Sequence, residues 1–327
     1  MRRVVMLVLV VMSACHSDNS GNTGDGPSID ELPRVAHDAT CAFSVRCGLF
    51  ASTADCDAYY RVGDDPSPAA AVEAGKTSYD ASAAKACYDA IANADCDSTQ
   101  ESAREFPEAC DHIFTGTAQT GESCTSNFEC ASNNCANRTD EDCPTGTCGP
   151  AEVIAHGGES CQIHQCDQGL FCNADQLCSE LEAENVPCDF DSDCAYGLGC
   201  IGNAATKNCK PVPHIGEPCP DGECAEVNST CNAQGTCVAV GLPGDPCAFD
   251  VDCTSFGSCN TETLQCESYP MLGEMCLSTC VGDSFCDMTA MMCVALLENG
   301  GACTNSGQCA SQFCNSANQC AARDVCI

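Results

Sequence analysis

Thiols are the one reactive group this chain carries in abundance, 37 cysteines in 327 residues. Their spacing decides among redox, metal-binding and crosslinking chemistry. A thiol–disulfide enzyme needs a close pair such as Cys-x-x-Cys, in which one thiolate is stabilised. Zinc ribbons and metallothionein-like clusters draw on the same short spacings. No Cys-x-x-Cys, Cys-x-Cys or Cys-Cys occurs; the nearest neighbours, Cys276 and Cys280, have three residues between them. Structural disulfides are the chemistry that this pattern favours, and with them an oxidising compartment.

Other candidate chemistries are weaker. Gly282-Asp283-Ser284-Phe285 superficially resembles the nucleophile block of GDSL-type esterases, but a serine nucleophile needs a base, and the last histidine, His214, lies upstream. The six histidines are scattered and form no spaced ligand pair. Asp189-Phe190-Asp191-Ser192-Asp193 places alternating carboxylates that a hard divalent ion such as calcium could use, and Asp250-Val251-Asp252 partly repeats it. Cys194 and Cys200 fall where an EF-hand requires glycine and an acidic ligand, so a solvated acidic turn is the plainer reading of Asp189, Asp191 and Asp193. No catalytic residue and no cofactor are expected. A net charge of −35 with 12 basic residues argues against nucleic-acid binding, which needs positive charge to meet phosphates.

The N-terminus bears on where these thiols are used. Arg2 and Arg3 precede the apolar run Val4 to Met12, about half the length a helix needs to span a bilayer, so residues 1–14 read as a secretory signal peptide. Met12-Ser13-Ala14-Cys15 resembles the lipobox of bacterial lipoproteins, in which the chain is cut before the cysteine and its thiol acylated. The resemblance implies lipidation of Cys15, stable membrane anchoring, and an exported chain held at the cell envelope, on the outer membrane or cell surface. With Cys15 acylated, an even number of thiols remains. Residues 15–33 follow as a flexible tether, since His16 to Ser28 has no large apolar residue to bury.

Two regimes of cysteine spacing set the elements. Residues 34–117 contain six widely spaced cysteines in an Ala-rich, helix-forming background. Asp80 can cap a helix through Ala84, Cys87, Tyr88 and Ile91. Further helices are expected over Ser44 to Phe50 and after Pro107 through Cys110, Ile113 and Phe114. Residues 118–327 form seven units of about thirty residues, a length too short to bury a core without crosslinks. Each opens on a turn-like tripeptide, as in Gly216-Glu217-Pro218 or Gly244-Asp245-Pro246, followed by cysteines at similar spacings. The clearest are Cys247, Cys253, Cys259 and Cys266, and Cys188, Cys194, Cys200 and Cys209. The first and last units carry a fifth, leaving Cys143 and Cys326 as odd members. Asn-Ala-Gln-Gly at 232–235 and Asn-Ser-Ala-Asn at 315–318 read as hairpin turns. Four cysteines allow three pairings per unit; first-to-third with second-to-fourth is the one expected here.

Gly121-Glu122-Ser123-Cys124 with Cys130 and Cys135, and the stretch Gly300 to Cys320, resemble the Dickkopf N-terminal-type cysteine-rich repeats of exported myxobacterial proteins. The resemblance covers roughly residues 120–326 and concerns the cysteine framework; it implies no activity. The expected fold is small and disulfide-rich: an N-terminal disulfide-stapled α-helical domain, then an elongated array of short cysteine-rich β-hairpin modules. The expected function is non-enzymatic: a surface lipoprotein whose array has a structural or adhesive role, with a protein or glycan ligand. A calcium-dependent interaction module is the alternative, and an enzyme of unknown type the third reading.

Overall fold

The apolar residues of the N-terminal third gather in two small clusters, one around Leu32 and Ala84 and one around Cys41, Phe50 and Cys56. The computed structural model of the chain describes residues 26–321, apart from 61–66, 106, 140–144, 152–153, 162–164, 203–205, 255 and 278. The signal peptide, Cys15 and most of the tether lie outside the described residues, as do Cys143 and Cys326. The helical region comprises α1 (Leu32–Arg46), α2 (Thr53–Tyr59), α3 (Ser67–Glu73), β1 (Thr77–Tyr79), α4 (Ala81–Asn93), α5 (Glu101–Arg104), α6 (Glu108–Asp111) and β2 (Phe114–Gly116). Leu32, Ala84, Cys87 and Ile113 form the first cluster, with Tyr79, Tyr88, Ile91 and Phe114 packed on it.

The helix expected behind Asp80 is α4. The Asp80 carboxylate accepts from the Ser82 and Ala83 N–H groups at 2.9 Å each, satisfying two donors that have no partner within the helix. The other boundaries differ from expectation. Helical structure is already present before residue 34: Ile29–Glu31 form a 3-10 turn in which Glu31 accepts from both the N–H and the hydroxyl of Ser28, and Leu32 packs with Ala84, Cys87 and Ile113. The segment expected as a separate helix from Ser44 contributes only the last turn of α1, which stops before Gly48 with φ +71°. After Pro107 there is a single helical turn, and Phe114 instead opens β2, antiparallel to β1 with Tyr79 opposite Phe114. Three disulfides staple the region, Cys41–Cys56, Cys47–Cys96 and Cys87–Cys110, joining α1 to α2, the end of α1 to the loop after α4, and α4 to α6.

Beyond Gly116 the chain is a succession of cystine-cored units. Every cysteine among the described residues is disulfide-bonded, in 17 disulfides. In the third unit the hairpin Leu198–Ile201 with Asn208–Pro211 sets Cys200 directly opposite Cys209. The hairpins of the second, fourth, fifth and sixth units oppose Cys172 to Cys178, Cys231 to Cys237, Cys259 to Cys266 and Cys286 to Cys293. In the first unit Cys135 faces Cys148, and in the seventh Cys314 faces Cys320 across a single bridge. Facing residues of an antiparallel pair project to the same side. The two sulfurs therefore sit side by side and reach to the two cysteines of the preceding loop. The pairs are Cys188–Cys200 and Cys194–Cys209, Cys247–Cys259 and Cys253–Cys266, and likewise in every unit; in the first, Cys130 reaches past the position of Cys143 to Cys148. The core of the fifth unit consists of its four cysteines alone.

The first, third, fourth and fifth units of the array dock against the helical region. Phe256 of the fifth unit stacks on Phe50 at 4.4 Å between ring centroids, and Tyr59 and Tyr60 close round the pair. Arg104 donates to the carbonyls of Asp191 and Cys194 in the third unit. In the fourth, Ser98 N–H donates to the Ala225 carbonyl and Val227 N–H to that of Cys96. Phe114 meets Phe128 of the first unit. A unit cored only by cystine offers little apolar surface of its own, so aromatic side chains and free backbone groups of both regions find partners in each other.

Candidate functional site

The recurring device of the array is the turn before each first cysteine. The residue that opens the tripeptide has positive φ in all seven units: Gly121, Gly158, Asn185, Gly216, Gly244, Gly273 and Gly300, between +67° and +97°. Glycine adopts this conformation without strain. The same residue donates its N–H to the carbonyl of the unit's last paired cysteine, and the following residue's carbonyl accepts that cysteine's N–H, as in Gly244 and Asp245 with Cys266 at 2.8 Å each. Where the following residue is acidic, its carboxylate accepts from the N–H three residues back: Glu122 from Gln119, Glu159 from His156, Glu217 from His214, Asp245 from Leu242 and Glu274 from Met271. Many of the chain's acidic side chains are thus local backbone acceptors.

Asp191 and Asp193 belong to the same economy of acceptors. They lie in a 3-10 turn, Asp191–Asp193, between the first and second cysteines. Asp193 accepts from the N–H groups of Asp189 and Phe190 at 2.9 Å, and Asp191 from that of Cys200 at 2.7 Å. Asp252 and Asp250 repeat the arrangement with Ala248, Phe249 and Cys259. In the first unit Glu129 and Asn127 take these roles, and in the seventh Gln308 and Ser306. Neutral side chains serve as well as charged ones, so acceptance, not charge, is what the positions require. Asp189 contributes its backbone N–H to this arrangement. The signal in sequence was the equivalence of Asn127 and Ser306 to Asp191, which only the aligned turns make evident.

The remaining candidates are also placed. Ser284 is buried, opens the strand Ser284–Asp287 and donates its hydroxyl to the Val281 carbonyl at 2.7 Å; no histidine approaches it among the described contacts. His37 is buried, with Nε2 3.3 Å from the Tyr60 carbonyl. In several units three cysteine sulfurs lie within 4.8 Å of one another, a spacing a metal would accept, but each is already bonded within a disulfide and carries no thiolate.

Titratable groups gather where the third and fourth units meet the helical region. Burial alone would raise the Asp97 carboxyl; hydrogen bonds from the Thr99 hydroxyl and N–H and from Gln100 outweigh it and hold Asp97 below the usual carboxylate range. Burial and a hydrogen bond to Glu105 push the Tyr196 phenol up to about 12. His214 is raised by its hydrogen bond to Glu226 at 3.0 Å. These groups fasten elements together.

The arrangement defines a disulfide-rich repeat protein of the kind found in oxidising, extracellular settings, with a structural or binding role. No helix among the described residues is long and apolar enough to cross a membrane. No family model, curated protein or solved structure matches the chain.

Proposed function

We propose that the protein is a non-enzymatic lipoprotein of the cell envelope, held by an acylated Cys15, whose docked repeat units form a durable scaffold for a structural or adhesive role toward a protein or glycan ligand. The carrying observation is that every cysteine among the described residues is spent in a disulfide, while Asp191, Asp193 and Ser284 are spent on backbone hydrogen bonds. The resemblance to Dickkopf N-terminal-type repeats belongs with this reading, since it too rests on the cysteine framework. The lipobox-like Met12 to Cys15 supports the anchor.

Intact mass of the protein from native membranes, alkylated with and without prior reduction, tests the proposal. Acyl mass on Cys15 and no alkylation before reduction are expected, and Cys15→Ser should release the chain to the soluble fraction. Thiols that alkylate without reduction, or an unacylated chain that stays on the membrane, would overturn it.

A further inference from the structure

The eight methionines are distributed unevenly: beyond Met12 all of them, Met271, Met275, Met288, Met291 and Met292, fall in the sixth unit. Met275 and Met292 are opposed across an antiparallel bridge. Their neighbours Cys276 and Cys293 are buried in the cystine core, so alternation along the strand turns both methionines to the outer face. The Cys276 N–H donates to the Met291 carbonyl at 3.1 Å, bringing Met291 to the same edge, and Met288 lies three residues earlier on the hairpin turn. Met275 is 79% exposed and Met288 61%.

The fifth unit shows that the fold does not need these side chains. Its backbone repeats the arrangement: Pro246 opposes Gln265, the Cys247 N–H donates to the Leu264 carbonyl, and Leu264 has φ +54° where Met291 has +53°. Asn260 accepts from Glu262 and Thr263 as Asp287 accepts from Thr289 and Ala290. Proline, threonine, leucine and glutamine thus occupy the places of Met275, Met288, Met291 and Met292. Leucine would provide the same apolar surface; what four methionines add is thioether sulfur, a soft and adaptable donor.

We infer that Met275, Met291 and Met292, with Met288 within reach, form a site for a soft monovalent metal ion of the Cu(I) class. Thioethers prefer Cu(I) to hard divalent ions, and three such donors satisfy its low coordination number. The ion is taken up as Cu(I), so binding involves no electron transfer, and the disulfides are untouched.

The test is anaerobic titration of the full, disulfide-intact chain with Cu(I) against a chromophoric Cu(I) chelator, and with Ag(I) followed by methionine methyl NMR. One Cu(I) per chain is expected, with the methyl signals of Met275, Met291 and Met292 shifting together on Ag(I) addition and no response to Zn(II) or Ca(II). Met275→Leu with Met292→Leu should weaken uptake at least tenfold at unchanged melting temperature. A second variant carries the fifth unit's residues, Met275→Pro, Met288→Thr, Met291→Leu and Met292→Gln, and should abolish uptake. No Cu(I) uptake by the wild type, or equal uptake by either variant, would overturn the site and leave an apolar docking face as the reading of the patch.

Discussion

Odd- and even-numbered units share one disulfide topology yet build the loop between their first two cysteines differently. In the first, third, fifth and seventh units five residues separate those cysteines, and the loop folds into a 3-10 turn, as at Asn127–Glu129 and Ser306–Gln308. In the second and fourth units four residues intervene, and in the sixth three. The longer loop leaves extra N–H groups inside the turn, and two side-chain acceptors meet them. The difference teaches that one cystine frame accepts loops of three lengths, and that the longest comes with side-chain acceptors for its backbone N–H groups. It also gives the array a two-unit period, and it gives the carboxylates of the Asp-x-Asp motif a role as backbone acceptors.

The largest expected effect tests what the two classes share. Cys253–Cys266 in an odd unit and Cys280–Cys293 in an even one close loops of the same sequence separation, 13 residues. Replacing either pair by serine should cost about 3 kcal/mol, with hydrogen exchange rising mainly inside the altered unit. Clearly unequal losses would break the equivalence.

The common turn comes next. A Cβ on Gly244 would meet nothing within 4 Å, so Gly244→Ala should cost only the backbone strain of positive φ, about 1–2 kcal/mol, whereas Asn185→Gly should be neutral or slightly stabilising in chemical denaturation. The odd-unit cap is smaller and sharper: Asp191→Ala should lose about 1 kcal/mol, Asp191→Asn very little, and millimolar calcium should leave the melting temperature unchanged. A calcium-induced rise would restore the ligand reading of Asp189, Asp191 and Asp193.

The smallest effect belongs to His214 and Glu226 of the fourth unit. His214 is raised in the folded chain, so its stabilising contribution is complete below the unfolded imidazole value of about 6.5 and is lost as pH rises through the folded value. Both side chains are partly exposed, which keeps the change below about 1 kcal/mol. Melting at pH 5.5 and 8.5, compared with His214→Gln, should show it; no difference between the two proteins would remove the pair from the account.

What the sequence made legible was local. The regular cysteine spacing marked the units, Asp80 marked the start of α4, and Asn232 and Asn315 marked turns in which their side chains accept from N–H groups two and four residues on. Pairing within a unit was narrowed to three possibilities, of which the alternate one occurs, because the facing third and last cysteines depend on hairpin register. The one-turn α6 and the β1–β2 pair were not legible, since Phe114 chooses strand over helix only once Tyr79 is opposite. Nor was the docking of the array. Phe50 and Phe256 lie far apart in the chain and carry no periodic signal that links them. The two-unit period was present in the spacing of the first two cysteines, but the commoner features of the units obscured it.

The reach of the disulfides also implies an order of maturation. Within the array the disulfides among the described residues join positions 10 to 18 apart, whereas Cys47–Cys96 spans 49. A chain that meets its oxidant from the N-terminus can finish each unit before the next arrives, so each choice of partner involves a few thiols instead of the whole complement, and contacts stay short-range and quick to form. The helical region is different: it is made first, yet Phe50 waits for Phe256 and Cys96 for Val227. The part that leads in sequence is therefore completed only when the fourth and fifth units have formed.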